Sequence, residues 1–95
     1  MNYELAFRSQ ALKEWKKLPP NMRMQFAAKL RERLVQPRVA SAALSGFRDC
    51  YKIKLRQAGY RLVYQVVDRE VLVIVVAVGR RERNEVYKAA ASRPR

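Results

Sequence analysis

Residues 50–67 read Cys50-Tyr51-Lys52-Ile53-Lys54-Leu55-Arg56-Gln57-Ala58-Gly59-Tyr60-Arg61-Leu62-Val63-Tyr64-Gln65-Val66-Val67 and alternate apolar with polar side chains on either side of a glycine turn. Successive strand side chains point to opposite faces, so this is a pair of antiparallel strands joined at Gln57-Ala58-Gly59. Opposed residues in such a pair have a constant index sum. A sum of 115 sets Lys54 opposite Arg61, and a sum of 117 sets it opposite Val63. Either odd sum gathers Tyr51, Ile53, Leu55, Tyr60, Leu62 and Tyr64 on one face. An even sum mixes Lys54 with Leu62 and spoils both faces, so the hydrophobic pattern selects an odd register. One face then needs a cover, and the other is left open with Lys52, Lys54, Arg56 and Arg61.

Working outward, Asp68-Arg69-Glu70 makes a second turn into the apolar run Val71 to Val78, which suits a central strand covered on both faces. Gly79 ends it, and residues 83–91 form a short final helix that is marginal unless packed. Towards the N-terminus, Gly46 pivots a loop over residues 38–48. Before it lie two amphipathic helices. The first is N-capped by Ser9, with Ala11, Leu12, Trp15 and Leu18 as its stripe. The second is capped by Asn21, with Met22, Phe26, Ala27, Leu30 and Leu34 inward and Arg23, Lys29, Arg31 and Arg33 on its polar side. Pro19-Pro20 and Pro37 stop them. Residues 2–7 alternate as a first strand, with Tyr3, Leu5 and Phe7 to one side. The order β-α-α-β-β-β-α predicts a small single-domain α+β fold over residues 1–95, with a tail after about residue 91 outside the ordered part. It has two layers: a mainly antiparallel four-stranded sheet with a helical hairpin on one face, and a short C-terminal helix. If each element reverses the last, the first strand runs antiparallel to the fourth.

Composition narrows the chemistry. The 95 residues hold 21 Lys or Arg against 8 Asp or Glu, giving a net charge of +13, with 49% apolar residues and no His. Without His, mechanisms built on a His pair, a Ser-His triad or a His-ligated metal are excluded. Cys50 is the only cysteine, so neither an intrachain disulfide nor a Cys-based zinc site can form, and it reads as a small buried hydrophobe in a reducing cytosol. The carboxylates are scattered and predict no metal site and no cofactor. The longest apolar run is eight residues, Val71 to Val78, far short of the ~18 that a membrane span needs. The start Met1-Asn2-Tyr3-Glu4 has no signal-peptide pattern, so a cytoplasmic protein is expected.

A charge of +13 on so few residues predicts a polyanionic partner, nucleic acid before an acidic protein. Edge-strand lysines that block aggregation explain one or two of the cations on the open sheet face. Four together are better explained by a phosphate ligand. Gly79-Arg80-Arg81-Glu82-Arg83 leaves the buried strand at its end, where binding residues tend to sit.

At these residues the chain resembles the RelE-type toxins of bacterial toxin–antitoxin pairs. The matching segments are Ala11 to Leu18, Asp49 to Arg56, Gly59 to Val66, Val78 to Arg83 and Val86-Tyr87, which together span almost the whole chain. The resemblance implies a ribosome-dependent endoribonuclease that cuts messenger RNA at the A-site codon, and a RelB-like antitoxin that silences it. Carried over by position, it makes Lys52, Lys54, Arg61, Arg81 and Tyr87 the catalytic residues. Around them, Arg56, Lys13, Lys16, Lys17, Arg80 and Arg83 are expected to contact RNA. The expected partners are the antitoxin, messenger RNA and the ribosome through its 16S RNA, and not a membrane. The family often has Lys-Leu-Arg-Gly before this sheet, whereas this chain reads Ala43-Leu44-Ser45-Gly46 and lacks a cation at Ser45. Two rival readings stand beside the nuclease. One is a ParE-type toxin, which shares the fold and inhibits DNA gyrase by binding; the other is a basic RNA-binding module without catalysis.

Overall fold

The computed structural model describes residues 2–93, without the side chain of Arg83. Its elements are β1 (Glu4–Phe7), α1 (Ser9–Lys16), α2 (Pro20–Val35), β2 (Cys50–Leu55), β3 (Tyr60–Val67), β4 (Leu72–Arg80) and α3 (Glu85–Ala91), with 3-10 turns at Ala40–Ala42, Asp68–Glu70 and Glu82–Asn84. The four strands form one sheet in the order β1-β4-β3-β2. β2 and β3 pair antiparallel with Ile53 opposite Leu62 and Lys54 opposite Arg61, the register of sum 115. One face of the sheet packs Tyr51, Ile53, Leu55, Leu62, Tyr64 and Val66 against Phe26 and Leu30 of α2 and Ala11 of α1. Trp15 joins this core between Phe7 and Phe26, at ring centroid distances of 5.4 and 6.3 Å.

Neither helix is capped as the sequence suggests. Arg8 holds the N-cap of α1 and Ser9 is already helical, while Pro19 holds that of α2 and Pro20 is its first residue. A proline at that position sacrifices no hydrogen bond and arrives with helical φ, so Pro19-Pro20 both ends α1 and starts α2.

The sheet is mixed, which corrects the antiparallel expectation: β1 and β4 run parallel, with Glu4 beside Leu72 and Phe7 beside Val75. The reason lies in α1. It does not turn back but continues in the direction of β1: Arg8 N–H donates to the Val75 carbonyl, and one α1 carboxylate oxygen, Oε1 of Glu14, already reaches the N–H of Val78. Only α2 makes the return. Its 16 residues, about 24 Å of helix, end where Tyr3 N–H donates to the Leu34 carbonyl. The chain therefore reverses twice between β1 and β2, from α1 into α2 and from α2 into β2, in place of three times, which leaves β2 parallel in direction to β1.

A two-layer fold is also too simple. α3 lies on the opposite face from α1 and α2, where Val86 and Ala90 are buried with Cys50, Val63, Val76 and Ala77. It covers one end of the face that the hydrophobic pattern leaves open, and the cations occupy the other end. The chain stays packed past residue 91, since Arg93 forms a forked pair with Glu14 at 2.9 Å on each side and donates to the Val76 carbonyl at 3.1 Å. Together Glu14 and Arg93 satisfy the edge of β4 just where β1 has ended. No helix among the described residues is long and apolar enough to cross a membrane.

Candidate active site

An irregularity in β4 decides which arginine reaches the open face. Val63 pairs with Ala77 but Tyr64 pairs with Val75, so Val76 is an extra residue, a β-bulge. The bulge shifts the alternation by one. Val73, Val75 and Val78 therefore face α1 and α2, whereas Val76 and Ala77 face α3. Arg80 follows Val78 to the α1 and α2 side, where its guanidinium lies 5.7 Å from the Tyr60 ring and 3.8 Å from Glu82. Arg81, one residue on, turns to the other side. Without the bulge the two would exchange places.

Arg81, Lys52, Lys54, Arg61 and Tyr87 line one open concavity of about 440 Å³, and Glu82 and Asn84 complete it. Each cation arrives by a different route. Lys52 and Lys54 share the open face of β2 by strand alternation, and Arg61 stands across from Lys54. Arg81 is tied in by its N–H, which donates to the Gly59 carbonyl of the β2–β3 turn at 3.0 Å. Asn84 sits in the left-handed region at φ 57°, a conformation asparagine tolerates better than most residues. It turns the chain from the strand end into α3, and α3 then presents Tyr87 to the concavity while Val86 enters the core.

The electrostatics are one-sided. Arg61 is 8% exposed, although charged. Its Nη1 donates to the Tyr60 carbonyl at 3.1 Å, which fixes the guanidinium in place. Among the described residues no carboxylate forms a salt bridge with Lys52, Lys54, Arg61 or Arg81. Lys54 is held below the ordinary lysine range, first by the charge of Lys52, then by desolvation, then by Arg56 and Arg61. The one carboxylate on the lining, Glu82, pairs with Arg80 and not with these four. A cluster of cations left unpaired in this way is suited to phosphate oxygens, above all where negative charge accumulates on them.

The remaining candidates separate. Arg56 borders the site by way of Lys54 in an adjoining trough. Lys17 and Arg80 line a different depression between α1 and α3. Lys13 and Lys16 are exposed on α1, away from the concavity. The side chain of Arg83 lies outside what the structure describes. Ser45 is exposed in the loop before β2. Asn84 and Glu82 are site residues that pattern reading passes over, because neither periodicity nor charge clustering marks them. Among the described residues no three Cys, Asp or Glu side chains gather as a metal site.

Residues 5–85 match the family model of the ParE toxin of the type II toxin–antitoxin system parDE. The chain is 55% identical over 93 residues to the mRNA interferase toxin RelE of Escherichia coli K12, covering 98% of each. Its backbone superposes on a mutant of the E. coli toxin RelE in the free state with a TM-score of 0.90, at 52% identity over 97% of both chains. Against the RelE chain of the intact E. coli RelBE toxin–antitoxin complex the TM-score is 0.81 at 54% identity, over 82% of this chain and 95% of that one. With sequence and backbone alike shared over nearly its whole length, the chain belongs to the RelE toxins of the RelE/ParE family of type II toxin–antitoxin systems.

Proposed function

We propose that this toxin is an endoribonuclease that cuts messenger RNA on the ribosome at the A-site codon, and that Lys52, Lys54, Arg61, Arg81 and Tyr87 carry out the reaction. One observation carries the reading: these five residues, from β2, β3, the end of β4 and α3, line a single concavity in which no carboxylate of the described residues is paired to its cations. The identity to proteins named mRNA interferase supports it.

The substrate supplies its own nucleophile. The 2′-oxygen attacks the neighbouring phosphorus as the P–O5′ bond breaks, leaving a 2′,3′-cyclic phosphate and a 5′-hydroxyl. Lys54, its charged form disfavoured by Lys52, takes the 2′-proton. Arg61, already oriented, holds the phosphorane oxygens through its planar fork. Arg81 neutralises charge on the departing 5′-oxygen, which takes up a proton from water to become the 5′-hydroxyl, and Tyr87 positions the 2′-hydroxyl or stacks on a base. No metal enters this scheme. The ribosome contributes what so small a site lacks, a messenger held in reactive geometry. The toxin works in the cytoplasm, where a RelB-like antitoxin silences it by covering the cations and Tyr87.

The ParE-type reading, favoured by the name of the matched family model, requires binding without cleavage. Mapping messenger 5′ ends after brief expression separates the two. Breaks inside codons of translated frames support the nuclease. Intact messenger together with a DNA-damage response excludes it in favour of gyrase inhibition.

A further inference from the structure

The cations on the polar side of α2 have no role in the site described above. Lys29 and Arg33 of that helix, with Ser41, Lys52, Lys54 and Arg56, line a trough of about 340 Å³ between α2 and the edge strand β2. Lys52 and Lys54 line both this trough and the concavity that holds Arg61 and Tyr87, so the two depressions adjoin across these two side chains. Past the trough, Lys29, Lys54 and Arg56 also border a groove under the β2–β3 turn, extending the basic path. Arg33 is a fixed wall: its Nη1 donates to Tyr64 Oη at 2.8 Å and to the Lys52 carbonyl at 3.3 Å, with the guanidinium 5.7 Å from the Tyr64 ring. Lys29 and Arg56 are exposed.

From this adjacency we infer that the trough between α2 and β2 is a second RNA subsite, which receives the phosphodiester backbone of a strand adjoining the cleavage concavity, with Lys29 and Arg56 as its phosphate contacts. The inference rests on the nuclease reading for what occupies the concavity. The lining favours RNA over an acidic protein segment. Its residues include five cations and no carboxylate, and its one apolar member, Ala42, is 7% exposed. Protein segments dock through buried apolar anchors, which this trough does not offer, whereas a phosphate backbone needs only spaced cations.

The test uses RNA oligonucleotides of three and nine nucleotides, made uncleavable by 2′-O-methylation, with binding to the full chain read by fluorescence anisotropy. The longer oligonucleotide binds the wild type more tightly and with a steeper salt dependence. Lys29→Glu weakens the nine-nucleotide probe roughly five- to tenfold at low salt, lowers its salt slope by about one and leaves the trinucleotide unchanged. Lys29→Gln gives a smaller loss in the same direction, and unchanged melting of both variants shows that they fold. Equal affinity of wild type and Lys29→Glu for the longer probe overturns the proposal. So does a Lys29→Glu defect confined to an acidic antitoxin peptide. Programmed ribosomes then identify the strand: a defect seen only with messenger extending beyond the A-site codon assigns the phosphates to the message, and a defect with any message assigns them to ribosomal RNA. Both outcomes support an RNA phosphate site. If the length effect on free RNA stands while no messenger is cut on the ribosome, the nuclease reading fails and the subsite does not.

Discussion

Lys54 sits where two strand neighbours, Lys52 and Arg56, and one opposed residue, Arg61, all oppose its charge. If the neutral amine is the base, the cleavage rate rises with pH through a pKa lying below the ordinary lysine value. Lys52→Gln removes the largest cause of that depression, so the inflection moves upward in the variant. Single-turnover rates across pH read this directly; an inflection that stays put takes the base role from Lys54. The one cysteine gives a second titration. Burial, and then the charge of Asp49, push the Cys50 thiol from 9.0 up to about 11. Between those values the unfolded chain loses its proton first, so stability falls as pH rises, and below them the effect vanishes. Urea unfolding of wild type and Cys50→Ala at several pH values should show their difference narrowing across that window. A constant gap rules the account of Cys50 out. Legibility at this scale follows local periodicity. Lys52, Lys54 and Arg61 could be assigned to one face because nothing interrupts the alternation of β2 and β3. Periodicity cannot tell Arg80 from Arg81, because an all-apolar strand hides the extra residue at Val76, and only the family resemblance separates them.

The strand β4 has lost its neighbour beyond Val75, and α1 with the end of the chain takes the place of a strand. Glu14→Ala strands the N–H of Val78 and leaves Arg93, 17% exposed, without its carboxylate. It is expected to destabilise the fold by about 2 kcal/mol, measurable by thermal unfolding, since unsatisfied buried groups typically cost ~1–3 kcal/mol. The sequence shows Glu14 only as one scattered carboxylate, because its partner lies 79 residues away. The turn between β2 and β3 is a second weak point. Gly59 has φ +69°, and its carbonyl holds the N–H of Arg81. Gly59→Ala should cost about 1 kcal/mol by forcing a side chain into the left-handed region, and should slow cleavage as well by loosening Arg81. At Gly79 an added Cβ meets Val86 at 3.6 Å, an ordinary contact, so Gly79→Ala should change stability little. Equal losses at the two glycines, measured by urea unfolding, would contradict this reading.

Across the whole molecule, the elements and their order follow from apolar spacing, but the direction of β1 does not. The simplest expectation reverses the chain at every connection, whereas α1 runs onward from β1 and the return falls to α2, a tertiary choice that no local pattern encodes. The placement of α3 is of the same kind. Its packing depends on Val63, Val76 and Ala77, presented by two other strands. The charge of +13 acts at this scale too: under the proposed function it should draw the toxin to ribosomal RNA in a salt-dependent way. Exposed cations far from the concavity, such as Lys13 and Lys16, should contribute to that attraction and not to chemistry. Their loss should weaken ribosome affinity at higher salt and leave the saturated rate alone. The cations of the concavity should behave in the opposite way, because charge on the phosphorane exceeds charge on the ground-state phosphate. Single-turnover cleavage of messenger on programmed ribosomes at saturating toxin, with affinity measured alongside, separates the two. Arg61→Ala and Arg81→Ala are predicted to bind ribosomes yet cut ~10²–10³-fold more slowly, the loss typical of removing a preorganised donor to a developing oxyanion. Wild-type rates from both variants at saturation would contradict the assignment of this concavity as the active site.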